Sequence, residues 1–130
     1  EYCVDRAAKI LNKVKKAMNG SKVLVLGVAY KQDIDDYRES PALKVIDVLE
    51  REGAEVTFFD PWVKEYKHNG QTRQSIPALT EDVLKAADLV MITTAHTNID
   101  YDMVQKNAAL IFDTKNAMKN ITNRENIEVL

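Results

Sequence analysis

Between Tyr30 and Ser40 the chain carries Lys31, Asp33, Asp35, Asp36, Arg38 and Glu39, more charge than a plain strand-to-helix turn needs. The run opens after an apolar stretch ending in Leu26-Gly27 and closes on Ser40-Pro41, which reads as a helix N-cap and first turn. A helix start offers free N–H groups and the positive end of a dipole, so the place suits an anion such as a phosphate. Lys31 and Arg38 would supply countercharge, the lysine as a mobile point charge and the arginine as a planar fork. The plainer alternative is a solvated loop with Arg38 paired to an aspartate. Lys115, in Asp113-Thr114-Lys115-Asn116 after a later apolar stretch, is either a third cation facing the same crevice or a surface lysine.

The remaining polar groups carry less. Asp60 ends a second strand pattern, where an acid can hold a ribose, but after Gly27 the chain reads Val28-Ala29-Tyr30-Lys31 instead of Gly-x-Gly-x-x-Gly. Without glycines the backbone cannot approach a pyrophosphate, so a dinucleotide site is disfavoured and Asp60 reads as a turn residue before Pro61. His96 stands in a loop after a third strand pattern and can contact a ligand there, whereas His68 falls in a polar stretch and reads as surface. Two distant histidines and the single Cys3 make no metal set, and Cys3 has no neighbouring base to activate it.

These residues must be positioned by regular elements. From Val4 the apolar residues Ala7, Ala8, Leu11, Val14 and Met18 recur at helical spacing, and Gly20 reads as the left-handed cap. Lys22 to Leu26 is an unbroken apolar strand of the kind buried on both faces. A helix follows from Pro41 to Gly53, then a strand from Val56 to Phe59, and a polar stretch from Lys64 to Ser75 that reads as surface. Thr80 can cap a helix through Ala87. Strands over Leu89 to Thr93 and Leu110 to Phe112 flank a short helix over Asp102 to Asn107, and Ile127 to Leu130 can add an edge strand. Strands alternating with helices predict an α/β fold: a Rossmann-like three-layer arrangement with a mostly parallel sheet. Ligands of such sheets sit beyond the strands' carboxyl ends, here residues 27–40, 60–62, 94–101 and 113–119.

At 130 residues, 45% hydrophobic and 29% charged, the chain has the size of one domain with a real core. A formal charge of -2 gives no basic field for nucleic acid or an anionic membrane. One cysteine precludes an internal disulfide and makes a reducing compartment, the cytoplasm, the default expectation. No run approaches the roughly 20 apolar residues of a membrane span, and Glu1 to Ile10 has no signal-peptide pattern. Opening on Glu1 and running straight into a helix, the sequence reads as a piece of a longer polypeptide.

The stretch from Val25 to Leu43, with Ala29-Tyr30-Lys31 and Arg38-Glu39-Ser40-Pro41 inside it, closely resembles the opening of the C-terminal domain of the UDP-glucose/GDP-mannose dehydrogenase family. Gly53-Ala54-Glu55-Val56 leading to Asp60-Pro61, Ala87-Asp88, and Phe112-Asp113-Thr114-Lys115-Asn116 follow in the family's order, so the resemblance covers nearly the whole chain. It implies an enzyme that oxidises the C6 hydroxyl of a nucleotide-bound sugar to a carboxylate with two molecules of NAD, through a cysteine thiohemiacetal. It also implies an N-terminal domain of the same chain that binds NAD and a long connecting helix that builds a homodimer. Residues 1–20 would be the end of that helix, its exposed stripe packing on protein outside this chain, and residues 21–130 the nucleotide-sugar-binding domain. Neither nucleic acid nor membrane is an implied partner.

By the same resemblance Tyr30 and Lys31 would contact the nucleotide sugar, and Arg38 would reach across the domain cleft to NAD. Lys115 would hold the nucleotide portion, as lysine where many members have arginine. The glycine-rich segment bearing the catalytic cysteine does not occur here, so the expectation is no catalytic residue and no turnover from this chain alone. Thr94 to Tyr101 and Asp113 to Ala117 resemble the UDP-N-acetylglucosamine 6-dehydrogenase branch, with UDP-N-acetylmannosamine and UDP-glucose as alternatives. A rival of another class is a phospho-receiver domain, suggested by Asp35, Asp36, Asp60, Thr94 and Lys115. Its acid pair should directly follow the first strand, however, and here it lies well beyond Gly27.

Overall fold

Successive residues of strand β1 (Lys22–Leu26) supply two separate apolar layers, Val23 and Val25 to one and Leu24 and Leu26 to the other. A strand with that pattern must be covered on both faces. The computed structural model, which describes residues 2–130, places β1 inside a five-stranded sheet of order β2-β1-β5-β6-β7. The other members are β2 (Glu55–Phe59), β5 (Leu89–Ile92), β6 (Ile111–Asp113) and β7 (Ile127–Val129). Every pairing is parallel, with Val23 opposite both Val56 and Leu89, and Ile111 opposite both Val90 and Ile127.

One face is covered by α1 (Tyr2–Lys13) and α2 (Pro41–Arg51), whose Val4, Leu11, Ile46 and Leu49 meet Val25, Phe58, Met91 and Phe112. The opposite face is covered by α3 (Glu81–Ala86) and α4 (Tyr101–Asn107), through Leu84 and Val104. The α/β three-layer expectation therefore holds. The helix starts follow their caps: Ser40 accepts from the Ala42 N–H ahead of Pro41, and Thr80 accepts from Val83. Among the described residues no helix is long and apolar enough to cross a membrane.

Two expectations need correction. The first helix ends at Lys13 instead of Met18, and Lys15 turns the chain at φ 64°. Its stripe does not await outside protein: Val4, Ala7, Ile10 and Leu11 are buried against this domain's own sheet. The Arg6 guanidinium lies 5.4 Å from the centre of the Phe112 ring, and Lys13 reaches Glu128 on β7 at 2.8 Å.

The polar stretch after Trp62 is also more ordered than its composition suggests. It forms an antiparallel hairpin of β3 (Glu65–His68) and β4 (Gln71–Gln74). The turn is Asn69-Gly70 with φ of 51° and 76°, both positive as a two-residue hairpin turn of this twist requires. Tyr66 on β3 is buried, its ring 5.2 Å from Phe58 and 5.9 Å from Tyr37.

Candidate functional site

From β1 the chain crosses to β2 on one side and later returns to β5 on the other, so the direction of winding reverses between β1 and β5. Loops leaving adjacent strands at such a reversal part from each other and leave a crevice at the carboxyl edge. Here Tyr30, Lys31 and Gln32 from the loop after β1 face Thr93, Thr94 and Ala95 after β5, and Lys115 closes the third side from the loop after β6. Together they line a depression of about 330 Å³. A neighbouring depression of about 350 Å³ shares Gln32, Ala95 and Lys115 and extends to Thr97, Tyr101 and Lys119. The fold thus brings Tyr30, Lys31 and Lys115 together although up to 85 positions separate them in sequence (115 − 30).

The close approach of the two main loops depends on Gly27. Its φ is +90°, and a Cβ there would stand 2.4 Å from Thr94 Cβ and 2.8 Å from the Thr94 carbonyl oxygen. No other residue fits. Thr94 Oγ1 donates to the Ala29 carbonyl at 2.9 Å and Thr93 Oγ1 donates to that of Gly27, stitching the loops below the depression.

Asp60 proves to be more than a turn residue. It is 2% exposed; Oδ1 accepts from the Trp62 and Val63 N–H groups, as the turn reading implies, while Oδ2 accepts from Val28 and Ala29. His96 Nε2 completes the set at 2.9 Å from Oδ2. Burial pushes the Asp60 carboxyl up, but the His96 bond and the backbone N–H groups outweigh it and hold the group below the usual carboxylate value. Asp113 likewise gathers the backbone donors of the β6 loop. Fully buried, it accepts from the N–H groups of Lys115, Ala117 and Met118 and so fixes the turn that carries Lys115.

His96 was the least legible of these. It lines the second depression, yet it is 0% exposed, held between the Asp60 carboxylate and the Asp33 N–H, which donates to Nδ1 at 2.8 Å. Asp33, at φ 61°, accepts in turn from Thr97 N and Thr97 Oγ1, both at 2.8 Å. Those two bonds pull its carboxyl below the ordinary range. Nothing in the sequence distinguishes His96 from an exposed ligand contact. His68, expected at the surface, is half-buried and bonds Asp47 at 2.9 Å.

Arg38 stands apart. Its guanidinium pairs in fork geometry with Asp36, at 3.0 and 3.1 Å, and its side chain is 82% exposed. It lines neither depression. At the start of α2, Pro41 and Ala42 wall a small cavity of about 100 Å³ with Cys3, Thr114 and Lys115. That cavity adjoins the Tyr30–Lys31 depression, with which it shares Thr93 and Lys115. A larger cavity of about 390 Å³ is walled by Leu24, Thr57, Ile76, Val83 and Ala87, away from the loops at the strands' carboxyl ends.

Comparison with known proteins gives the chain's family and fold relatives. The family model for the UDP-glucose/GDP-mannose dehydrogenase family, UDP binding domain, matches residues 24–120. A UDP-N-acetyl-D-mannosamine dehydrogenase of Methanocaldococcus jannaschii is 34% identical over 126 residues, covering 89% of this chain and 27% of the relative. Among solved structures, a UDP-D-ManNAc dehydrogenase from Pyrococcus horikoshii superposes with a TM-score of 0.79 at 26% identity, over 98% of this chain and 29% of that one. An NDP-N-acetyl-D-galactosaminuronic acid dehydrogenase from Methanosarcina mazei gives the same TM-score and identity over 99% of this chain and 28% of its own. The chain spans about a quarter of the length of the curated relatives it matches.

Proposed function

The chain belongs to the UDP-glucose/GDP-mannose dehydrogenase family as its UDP-binding domain, and we propose that it holds the nucleotide sugar for an NAD-dependent 6-dehydrogenase whose reacting half lies outside these residues. The observation that carries the reading is the depression at the β1–β5 reversal, where Tyr30, Lys31 and Lys115 meet. Two ammonium groups there suit a diphosphate, and the Tyr30 ring, half exposed, offers an apolar face to a sugar or base. Residues 1–20 would end the connecting segment and residues 21–130 form the binding domain.

This chain's residues do not make a dinucleotide site of their own, because the turn after β1 lacks the glycines that let a pyrophosphate approach. What the chain would offer NAD, the hydride acceptor of the reaction, is Arg38, whose guanidinium is exposed while Asp36 holds one edge of it. For the sugar, UDP-N-acetylmannosamine is favoured over the UDP-N-acetylglucosamine that the Thr94–Tyr101 segment first suggested. Several of the relatives matched carry the mannosamine name, and a site that bonds an acetamide discriminates strongly against a sugar lacking it.

Calorimetric titration of UDP into the chain tests the binding role. Lys31→Ala and Lys115→Ala should each weaken UDP by about tenfold or more, the worth of a charge-assisted hydrogen bond, while Arg38→Ala leaves it nearly unchanged. Equal affinity in all four proteins would refute the assignment. For the sugar, kcat/KM of the whole enzyme with the two epimeric N-acetylhexosamine nucleotides and UDP-glucose decides.

A further inference from the structure

The loop that carries Tyr30 and Lys31 is long, polar and largely exposed, yet one wall of the crevice depends on it. Its backbone closes on itself through the Tyr30 N–H donating to the Asp36 carbonyl at 2.7 Å. Beyond that bond it is tied to the rest of the domain at Tyr37, whose hydroxyl accepts from the Lys67 N–H, and near its tip at Asp33, whose carboxylate meets Thr97 and whose N–H meets His96 Nδ1. A backbone N–H can only donate, so Nδ1 is the accepting nitrogen, and the ring's proton sits on Nε2, donated to Asp60.

The two bonds of the ring are not equivalent. Asp60 already accepts from four backbone N–H groups, so losing His96 would leave its carboxylate well satisfied. For the Asp33 N–H, His96 is the acceptor observed among the described residues. We propose that His96 is a positioning residue for nucleotide binding: by accepting the Asp33 N–H it sets the Tyr30–Lys31 wall against the β5 loop, and it does so only while its ring is neutral. The proposal rests on the crevice being the UDP site.

Protonation converts Nδ1 from acceptor to donor and sets two N–H groups against each other. The charged and titratable groups around the ring are Asp33 from the β1 loop, Asp60 from the end of β2, Tyr101 of α4 donating to the His96 carbonyl, and Lys115 and Lys119 across the second depression. Protonation would therefore leave the ring held by its carboxylates while the loop's backbone anchor is lost.

Two substitutions separate the bonds. Asparagine places its amide oxygen near the position of Nδ1 and keeps an acceptor for Asp33; glutamine places its amide nitrogen near Nε2, keeps the donor to Asp60 and orphans the Asp33 N–H. His96→Asn should keep UDP affinity within about twofold of wild type, and His96→Gln should lose about tenfold at neutral pH. On acidification the ratio of wild-type to His96→Asn affinity should fall, since only the wild-type ring can gain the proton that turns its acceptor into a donor. Protonation of the ligand is common to both proteins and cancels in that ratio.

Amide exchange of Asp33, expressed as protection relative to the intrinsic rate at each pH, reads the same bond without UDP: protection should fall in His96→Gln and, in wild type, at the acid end, while β1 and β5 amides stay protected. Failure of the wild type to bind UDP, with the exchange pattern as described, would sink the nucleotide reading and with it the binding role of His96. UDP binding by the wild type with equal affinity and equal Asp33 exchange in both variants would overturn the positioning role alone. Should His96→Gln fail to fold, the wild-type exchange profile decides, since Asp33 protection that does not change with pH contradicts the proposal.

Discussion

Asp60 and Asp113 share one arrangement: each carboxylate ends a strand, lies buried, and collects the N–H groups of the turn that follows. The backbone donors would otherwise be orphans near the crevice floor, so the acids convert two irregular loops into fixed platforms. For Asp60 the folded state binds a proton more weakly than the unfolded chain, whose carboxylate titrates near 3.9. Its stabilisation is therefore complete above that value and is lost as pH falls through the lowered folded one. Asp60→Asn puts an amide NH₂ against backbone donors whichever way it turns and should cost about 2–4 kcal/mol at neutral pH. Urea midpoints measured against pH should show the gap between the two proteins closing below about pH 4. A gap that stays constant to about pH 2 would mean that the carboxylate's charge is not what stabilises the turn.

At the scale of elements, the strands and long helices were legible because burial on both sheet faces and the Ser40-Pro41 and Thr80 caps leave marks in residue type and spacing. So was the placing of Lys31 and Lys115 at strand ends. The β3–β4 hairpin was not read, since Glu65–His68 and Gln71–Gln74 are polar on both sides of the turn and only Tyr66 is fully buried. Asn69-Gly70, the commonest two-residue hairpin signal, was nevertheless in plain view. His96 was hidden for a different reason: its partners Asp33 and Asp60 lie 63 and 36 positions away, so only tertiary structure reveals them. The hairpin's worth lies in Tyr66, which packs on Phe58 and Tyr37. Tyr66→Ala should lose about 3–5 kcal/mol, as buried aromatic truncations do. Gly70→Ala should lose only about 1 kcal/mol, because its φ of +76° disfavours a side chain while open space would accept one. Chemical denaturation of both variants checks the ranking, and the reverse order would show that the turn, not the aromatic cluster, holds the hairpin.

At the scale of the whole molecule, what matters is how this chain would join the rest of a protein about four times its length, judging by the relatives it matches. A helix at the edge of a domain can dock as an ornament or as part of the core, and the two differ in consequence. Here Val4, Ala7, Ile10 and Leu11 of α1 are each no more than 3% exposed and pack in the same layer as β1, α2 and Phe112. Arg6 and Lys13 tie the helix to Glu128 on the far edge strand. Burying three large aliphatic side chains stabilises by roughly 5–8 kcal/mol, against a typical domain stability of about 5–15. Surface ion pairs add little to that. A chain lacking residues 1–13 would also expose Phe112 and the α2 face, so it should lose its cooperative thermal transition, or melt tens of degrees lower, and bind UDP weakly if at all. Calorimetry on the truncated and intact chains makes the comparison. A sharp, unshifted transition in the truncated chain would show that α1 only rests on this domain, and that whatever couples the crevice to the rest of the protein does not pass through the helix.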